Sequence, residues 1–400
     1  MFKQFKAWLA NNRSFLFSRY TKDAGETQEP ERSLIQLPPE IRKKLVREIE
    51  DLPINPGDRS AVTSKLNETF DLWRDNPNHS NNSLVVLSSP ITAVSRILTE
   101  TLADWAEQKQ IPVRLVPLKA RPEMADTIKS RLKHYLEEEF VEQAAGSHQP
   151  EVVVIPNLSW CFLRSLDGLE GIEYLQSRLC DGFKDRFWII GAGQVGWEYL
   201  NSVSNIEAYC AEVFTLPALT PEQLQEWLVP ITNDLEITFD EPSIDRQLLE
   251  SDKSNQANYF DRLSDISKGV STVAVQAFLK SIHCEELEEE YSLPDNLESY
   301  ELQKLPQKIM VAQTPKLPEL PDLEPADQYL LYSLLLHGDL TIPALAESLG
   351  DEQSEVQARI QELRHQGVVE QRGKIIKINP IHYPNIKRNL ANDNFVINKH

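Results

Sequence analysis

Apolar residues in this chain follow two periods, and the alternation between them marks its architecture. Between residues 84 and 216, short continuous apolar runs are separated by longer stretches in which apolar positions recur every three or four. The runs predict strands over Leu84–Leu87, Val113–Leu118, Val152–Ile155, Phe187–Ile190 and Glu212–Leu216. The stretches between them predict helices over Ile91–Gln108 and Met124–Gln143 and around Ile172–Leu179. Strands that are apolar rather than alternating are expected where helices cover both faces of a parallel sheet. Strands separated by helices imply right-handed crossovers, so the expected fold class is α/β, a three-layer parallel-sheet domain.

Upstream, Pro39–Asp51 predicts a charged amphipathic helix with Ile41, Leu45 and Ile49 on one face. Pro53, Pro56 and Gly57 break it, and Ser60–Asp75 forms another helix through Val62, Leu66, Phe70 and Trp73. Downstream, Thr220–Ile231 reads as a capped helix, followed by helices at Pro242–Glu250 and Asp261–Ile282 and an acidic run, Glu285–Glu290, read as a solvated helix face. Pro306, Pro315, Pro318, Pro321 and Pro325 punctuate a linker. Three further helices are expected at Asp327–Leu336, Ile342–Leu349 and Glu352–Gln366. They are separated at Gly338 and Gly350 and followed, after Gly367, by two short strands within Val368–Ile378. That order is the pattern of a winged helix-turn-helix.

The first twenty residues interleave bulky apolar and basic side chains. As a helix they bring Phe2, Phe5 and Leu9 toward one broad face, with Trp8, Lys3 and Lys6 alongside. Such a segment suits an anionic membrane interface, or equally a helix docked on its own domain or a partner. Thr21–Pro38 reads as a flexible linker.

Composition narrows the function classes. The 400 residues carry 41 Lys and Arg against 61 Asp and Glu, a formal charge of −20, which argues against general nucleic-acid binding. Residues 1–22 are the exception, with five basic side chains and no acidic one. An apolar fraction of 41% is enough for real cores in two or three domains. Four cysteines without C-x-x-C spacing fit buried thiols in a reducing cytosol better than disulfides or zinc. No apolar run approaches the ~18 residues that span a bilayer. The N-terminus has no signal-peptide core, so the expected location is cytoplasmic, with peripheral contact at the inner face of a membrane.

The stretch Leu84–Leu98 orders a strand, a small polar turn (Ser88, Ser89, Pro90) and a helix. Phosphate-binding loops share that order, with backbone N–H groups and a helix N-terminus facing the phosphates. Laid on Ser88–Ser95, the G-x-x-x-x-G-K-[ST] template keeps only its last position, Ser95. Ser88 and Ala93 replace the two glycines, and Val94 stands where the lysine would hold the β- and γ-phosphates. Arg96 is no substitute, being about 200° further round the helix at ~100° per residue. The strand Val152–Ile155 runs into Pro156 and Asn157, where a carboxylate would hold Mg²⁺.

Residues 60–282 resemble the AAA+/STAND superfamily of P-loop ATPases. The carrying features are Leu84–Ser95, Val152–Asn157, Phe187–Gly191 and Phe214–Leu228, with Leu263–Ile282 as the lid and the winged helix after it. On this resemblance the chain divides into a basic amphipathic helix and linker (1–38), a P-loop-ATPase-like α/β domain with a helical lead-in (39–235), a helical lid (236–300), a Pro-rich linker (301–325) and a winged-helix domain (326–400). The loop residues Ser88, Ser89, Ala93, Val94 and Ser95 are expected to be non-functional, with no cofactor and no metal, ATP held as a non-hydrolysed structural ligand being the alternative. Gly191, Gly193 and Gly196 spell a G-x-G-x-x-G, but no acid ends the next strand, so a loop at the sheet edge is expected rather than a dinucleotide site. No serine, cysteine or histidine pattern suggests a nucleophile. In the winged helix, Arg359, Arg364, Arg372 and Lys374 are the candidate contacts, offset by Glu352, Glu355 and Glu362 on the third helix. The expectation is a catalytically inactive ATPase-like scaffold or regulator with protein partners, possible oligomers and a membrane surface at residues 1–20. The alternative is a winged-helix DNA-binding regulator.

Overall fold

The computed structural model describes residues 39–77, 81–137, 151–180, 186–235, 237–239, 255–284, 309–311 and 315–397. The expected N-terminal segment with Phe2, Lys3, Phe5, Lys6, Trp8 and Leu9, the linker after it, helix Pro242–Glu250 and the acidic run lie outside these residues. In chain order the first elements are α1 (Pro39–Asp51), α2 (Pro56–Asp75), β1 (Ser83–Ser88), α3 (Val94–Lys109), β2 (Val113–Leu115), α4 (Thr127–Glu137), β3 (Glu151–Ile155) and α5 (Glu170–Cys180). Next come β4 (Arg186–Gly193), α6 (Gln194–Ser204), β5 (Glu212–Thr215), α7 (Pro221–Asp234), β6 (Thr238–Phe239), α8 (Asn255–Ser267), α9 (Ser271–Ser281), β7 (Ile282–Cys284) and β8 (Ile309–Val311). The C-terminal part comprises α10 (Pro325–His337), β9 (Leu340–Thr341), α11 (Ile342–Leu349), α12 (Gln353–His365), β10 (Val369–Arg372), β11 (Ile375–Ile378) and α13 (Tyr383–Asn392).

Two compact units result, one of Ile54–Ala218 with Pro318–His400 and another of Glu29–Pro53 with Leu219–Leu317. The first is built on a parallel five-stranded sheet of order β2-β3-β4-β1-β5. Its three central strands bury side chains on both faces, which explains their unbroken apolar runs, and the edge strands β2 and β5 are part-buried. Leu84, Val86, Val152, Val154, Phe187 and Ile189 meet α2 and α3 through Val62, Leu66, Phe70, Trp73, Leu98 and Trp105. Val85, Leu87, Val153, Ile155, Trp188 and Ile190 face the opposite layer with Leu132, Ile172, Leu175 and Leu200. Phe70 is the hub of the first layer, edge-on to Trp105 (5.1 Å) and to Phe187 (5.5 Å).

The same unit contains the winged helix, with β10-β11-β9 as its small sheet. Its first helix, α10, is buried at every position from Leu330 to His337. A helix apolar on all sides must be packed on all sides. In the second unit α7 opens with a capping box in which Thr220 and Gln223 exchange hydrogen bonds, and Lys44 pairs with Asp234 at 2.6 Å.

Several expectations need correction. The helix after β1 begins at Val94, not Ile91, because Pro90–Thr92 close a turn through Thr92 N–H to Ser89 O (2.9 Å). Asp261–Ile282 is not one helix: Lys268 and Gly269 adopt left-handed φ of 54° and 67° and separate α8 from α9. The 301–325 stretch contributes strand β8, which pairs with β6 and β7. Gly191–Gly196 is not an edge loop either, since β4 lies third of five strands and leads directly into α6.

Replacing Phe70 with alanine removes the hub of the α2–α3 layer. It should lower stability by about 3–5 kcal/mol, read as a shifted urea midpoint in tryptophan fluorescence.

Candidate functional site

The phosphate-loop positions lie where β1 ends. Ser88 closes the strand and is buried, and its hydroxyl donates to the Ser89 carbonyl at 3.1 Å. Pro90 is buried in the turn, Ala93 is exposed at the N-cap of α3 without a side-chain cap bond, and Val94 is the first helical residue. The Val94 side chain is 3% exposed and packs in the apolar layer with Ile54, Val62 and Leu98. Ser95 is buried as well, and Thr99 Oγ1 donates to its carbonyl at 2.8 Å. At the tip of β3, Pro156 is buried. Asn157 Oδ1 accepts from Ser159 N–H (3.0 Å) and Ser159 Oγ–H (2.6 Å), capping the short 3₁₀ turn Leu158–Cys161.

Two glycines of the G-x-G-x-x-G sequence, Gly191 and Gly196, serve close packing within the chain, and Gly193 makes ordinary contact. A Cβ on Gly191 would meet the Pro156 carbonyl oxygen at 2.5 Å and Leu98 Cδ1 at 2.7 Å. On Gly193 it would rest on Pro90 at 3.4 Å, and on Gly196 it would strike the Leu336 carbonyl oxygen of α10 at 2.5 Å. That last approach seats the winged helix on α6. Gly338, at φ 75°, turns the chain at the end of α10 beside the Pro90 carbonyl. Tyr383 of α13 faces Ser89, and burial raises its phenol above the ordinary range while that contact lowers it. The winged helix therefore stands directly over the turn where a phosphate loop would open.

Two arginines hold it there. Arg121, in the segment between β2 and α4, donates through Nε to the Phe162 carbonyl (2.8 Å) and through Nη2 to the Ser159 carbonyl (2.5 Å) within the α/β layer. Its Nη1 reaches the Asp339 carbonyl (2.9 Å) and its Nη2 that of His337 (3.4 Å), at the C-terminal end of α10. Burial lowers the Arg121 guanidinium to about 10, with Asp339 and then Cys161 opposing the shift. Arg164 donates through Nη2 to the Ser348 carbonyl (2.9 Å) near the end of α11. Both cations thus meet helix C-termini, where unsatisfied carbonyls and the helix dipole favour positive charge. His337 is fully buried with its ring 4.7 Å from Phe162, and its Nε2 accepts from the Arg164 backbone N–H at 3.3 Å.

The winged-helix cations are engaged within the chain. Arg359 pairs with Glu324 and Asp327 at 3.2 Å each, and Arg364 donates to Gln371 at 3.2 Å. Arg372 and Lys377 share Glu370, and Lys374 reaches Glu123 at 3.4 Å. The exposed side of α12 carries Glu355, Gln357, Gln361, Glu362 and His365. Burial pushes the Cys161 and Cys210 thiols up to about 12, far from a reactive thiolate at neutral pH. Among the described residues no group of three or more His, Cys, Asp or Glu is placed to hold a metal ion.

The first unit joins a parallel five-stranded sheet to a small three-stranded one. The parallel sheet, the strand–turn–helix at β1 and the winged helix are seen directly in this chain. No family model matches, and no curated protein matches. Solved structures similar to it include the Aeropyrum pernix ORC2 protein in its ADPNP-ADP complexes, with 13% identity, a TM-score of 0.38, and 86% of this chain and 96% of that one covered. The Cdc6p structure from Pyrobaculum aerophilum shows 14% identity, a TM-score of 0.34 and the same coverage of 86% and 96%. The Thermotoga maritima RuvB branch migration motor shows 13% identity, a TM-score of 0.33, and coverage of 85% and 96%. At such identities and scores these likenesses say nothing about activity or ligands.

Arg121→Met strips charged donors from carbonyls on both sides of the seam. It should lower stability by about 3 kcal/mol in urea denaturation and speed proteolytic cleavage within 315–324.

Proposed function

We propose that this chain is a catalytically inactive AAA+/STAND-like scaffold or regulator that works through protein–protein contacts. One observation carries the reading: the position that would grip a triphosphate is an aliphatic side chain in the core, under a turn covered by the chain's own winged helix. The residues present do not suit a nucleotide. Val94 offers no charge, Pro90 is packed against Gly193 and Gly338, and the β3 tip ends in a proline and a capping asparagine. A helix N-terminus alone attracts phosphate by ~1 kcal/mol or less, too little to hold ATP at cellular concentration without a lysine.

The pairing of Arg359, Arg364 and Arg372 within the chain, with Lys374 in an exposed pair to Glu123, favours protein over DNA as the partner of α12 and the wing. Residues 1–20, with their basic and aromatic pattern, supply a second contact, an anionic membrane surface or a partner. No described helix is long and apolar enough to cross a membrane.

Calorimetric titration of the full chain with Mg-ATP should show no binding heat up to millimolar nucleotide. Val94→Lys should leave that result unchanged while destabilising the protein, because the new ammonium enters an apolar layer. Micromolar ATP binding with turnover by the natural chain would end the scaffold reading. Duplex DNA should not be retarded in a low-salt gel shift, and a salt-dependent shift that survives removal of residues 1–22 would favour the DNA-binding alternative instead.

A further inference from the structure

We propose that the seam between the winged helix and the α/β layer is a proton-operated latch, docked while His337 is neutral and released when His337 takes up a proton. The inference depends on the seam alone and stands apart from whether nucleotide binds.

The geometry gives His337 a role only its neutral form can fill. Its Nε2 must be an unprotonated acceptor, because it faces the Arg164 backbone N–H. A proton on Nε2 sets donor against donor and breaks that bond. It also adds a third positive charge near two guanidinium groups that already act on this ring, Arg121 from the β2–α4 segment and Arg164 from the loop after β3. No water shell softens the repulsion, since the imidazole is wholly buried against Phe162.

The other titratable groups nearby do not compensate. Asp339, on the winged-helix side, acts on Arg121, and the Cys161 thiol is neutral. Glu198 and Tyr199 of α6 bear on Tyr332, and Glu198 also on Tyr383 and Lys387. The α10 C-terminus favours a cation, but Arg121 already occupies its last carbonyls. Burial first, then Arg121 and Arg164, hold the docked imidazole well below the ordinary histidine range.

The direction follows from linkage. A histidine depressed in the docked state and ordinary in the released state favours docking at high pH, and that preference fades as pH falls below ~6.5. Each pH unit below that point weakens docking about tenfold for as long as the docked imidazole stays neutral, so docking at pH 5.0 should be weaker than at pH 7.5 by up to about thirtyfold.

Hydrogen exchange on the full chain tests this at the Arg164 amide, corrected for the intrinsic pH dependence of exchange. Protection there should fall by up to about thirtyfold between pH 7.5 and 5.0, while the amides of β1 and β4 keep theirs. His337→Gln retains an acceptor that cannot take a proton, so its Arg164 protection should be flat with pH. Should His337→Gln fail to fold, histidine-labelled NMR of the natural chain decides. The His337 ring should stay neutral through pH 6 and titrate only together with loss of Arg164 protection. An ordinary titration near 6.5 with the seam still protected, or acid sensitivity persisting in His337→Gln, overturns the latch.

Discussion

Helix C-termini end in carbonyls that have no partner of their own, and in this molecule two arginines supply one. Arg121 meets the end of α10 and Arg164 the end of α11, and each guanidinium is rooted in a loop at the C-terminal edge of the parallel sheet. This contact fixes the winged helix against the α/β layer. With α10 anchored, Leu336 settles over Gly196, Gly338 turns beside Pro90, and Tyr383 comes to face Ser89. The covered turn, the Lys374–Glu123 pair and the buried histidine are all consequences of that docking.

A chain with a formal charge of −20 spends its C-terminal cations on its own carboxylates and carbonyls rather than leaving a basic stripe outside. Surface ion pairs of this kind contribute little to stability. Their effect here is on recognition, because they leave the exposed side of α12 polar and mildly acidic.

Much of the fold was legible in the sequence, for identifiable reasons. The three central strands of the large sheet were readable because burial on both faces leaves an unbroken apolar run, as in Val152–Ile155, while the part-buried edge strands β2 and β5 keep Arg114 and Glu212 among their apolar residues. The winged helix was readable because its glycine stops and hairpin agree on one pattern. Helix α6 was missed because Gly191, Gly193 and Gly196 resemble loop signals, whereas Gly191 and Gly196 are tolerances for Pro156 and Leu336. Val94 at the start of α3 was correctly placed, but the cover over the turn was not anticipated. A signal for it existed in Leu330–Leu336, where only Ser333 interrupts apolar and aromatic residues and no solvent-facing stripe is left. Arg121, Arg164 and His337 had no local signature, since the partners that tie them across the seam are backbone carbonyls and an amide more than 150 residues away.

The all-round burial of α10 bears on how this molecule can be taken apart. That helix is at once the spine of the winged helix and a wall of the larger layer, so a boundary drawn through the proline-rich stretch before it separates two halves of one core. Either fragment expressed alone would bring a leucine-rich surface into water and tend to self-associate. Interaction surveys run on such fragments would then report the stickiness of a cut face rather than the partners of the intact chain.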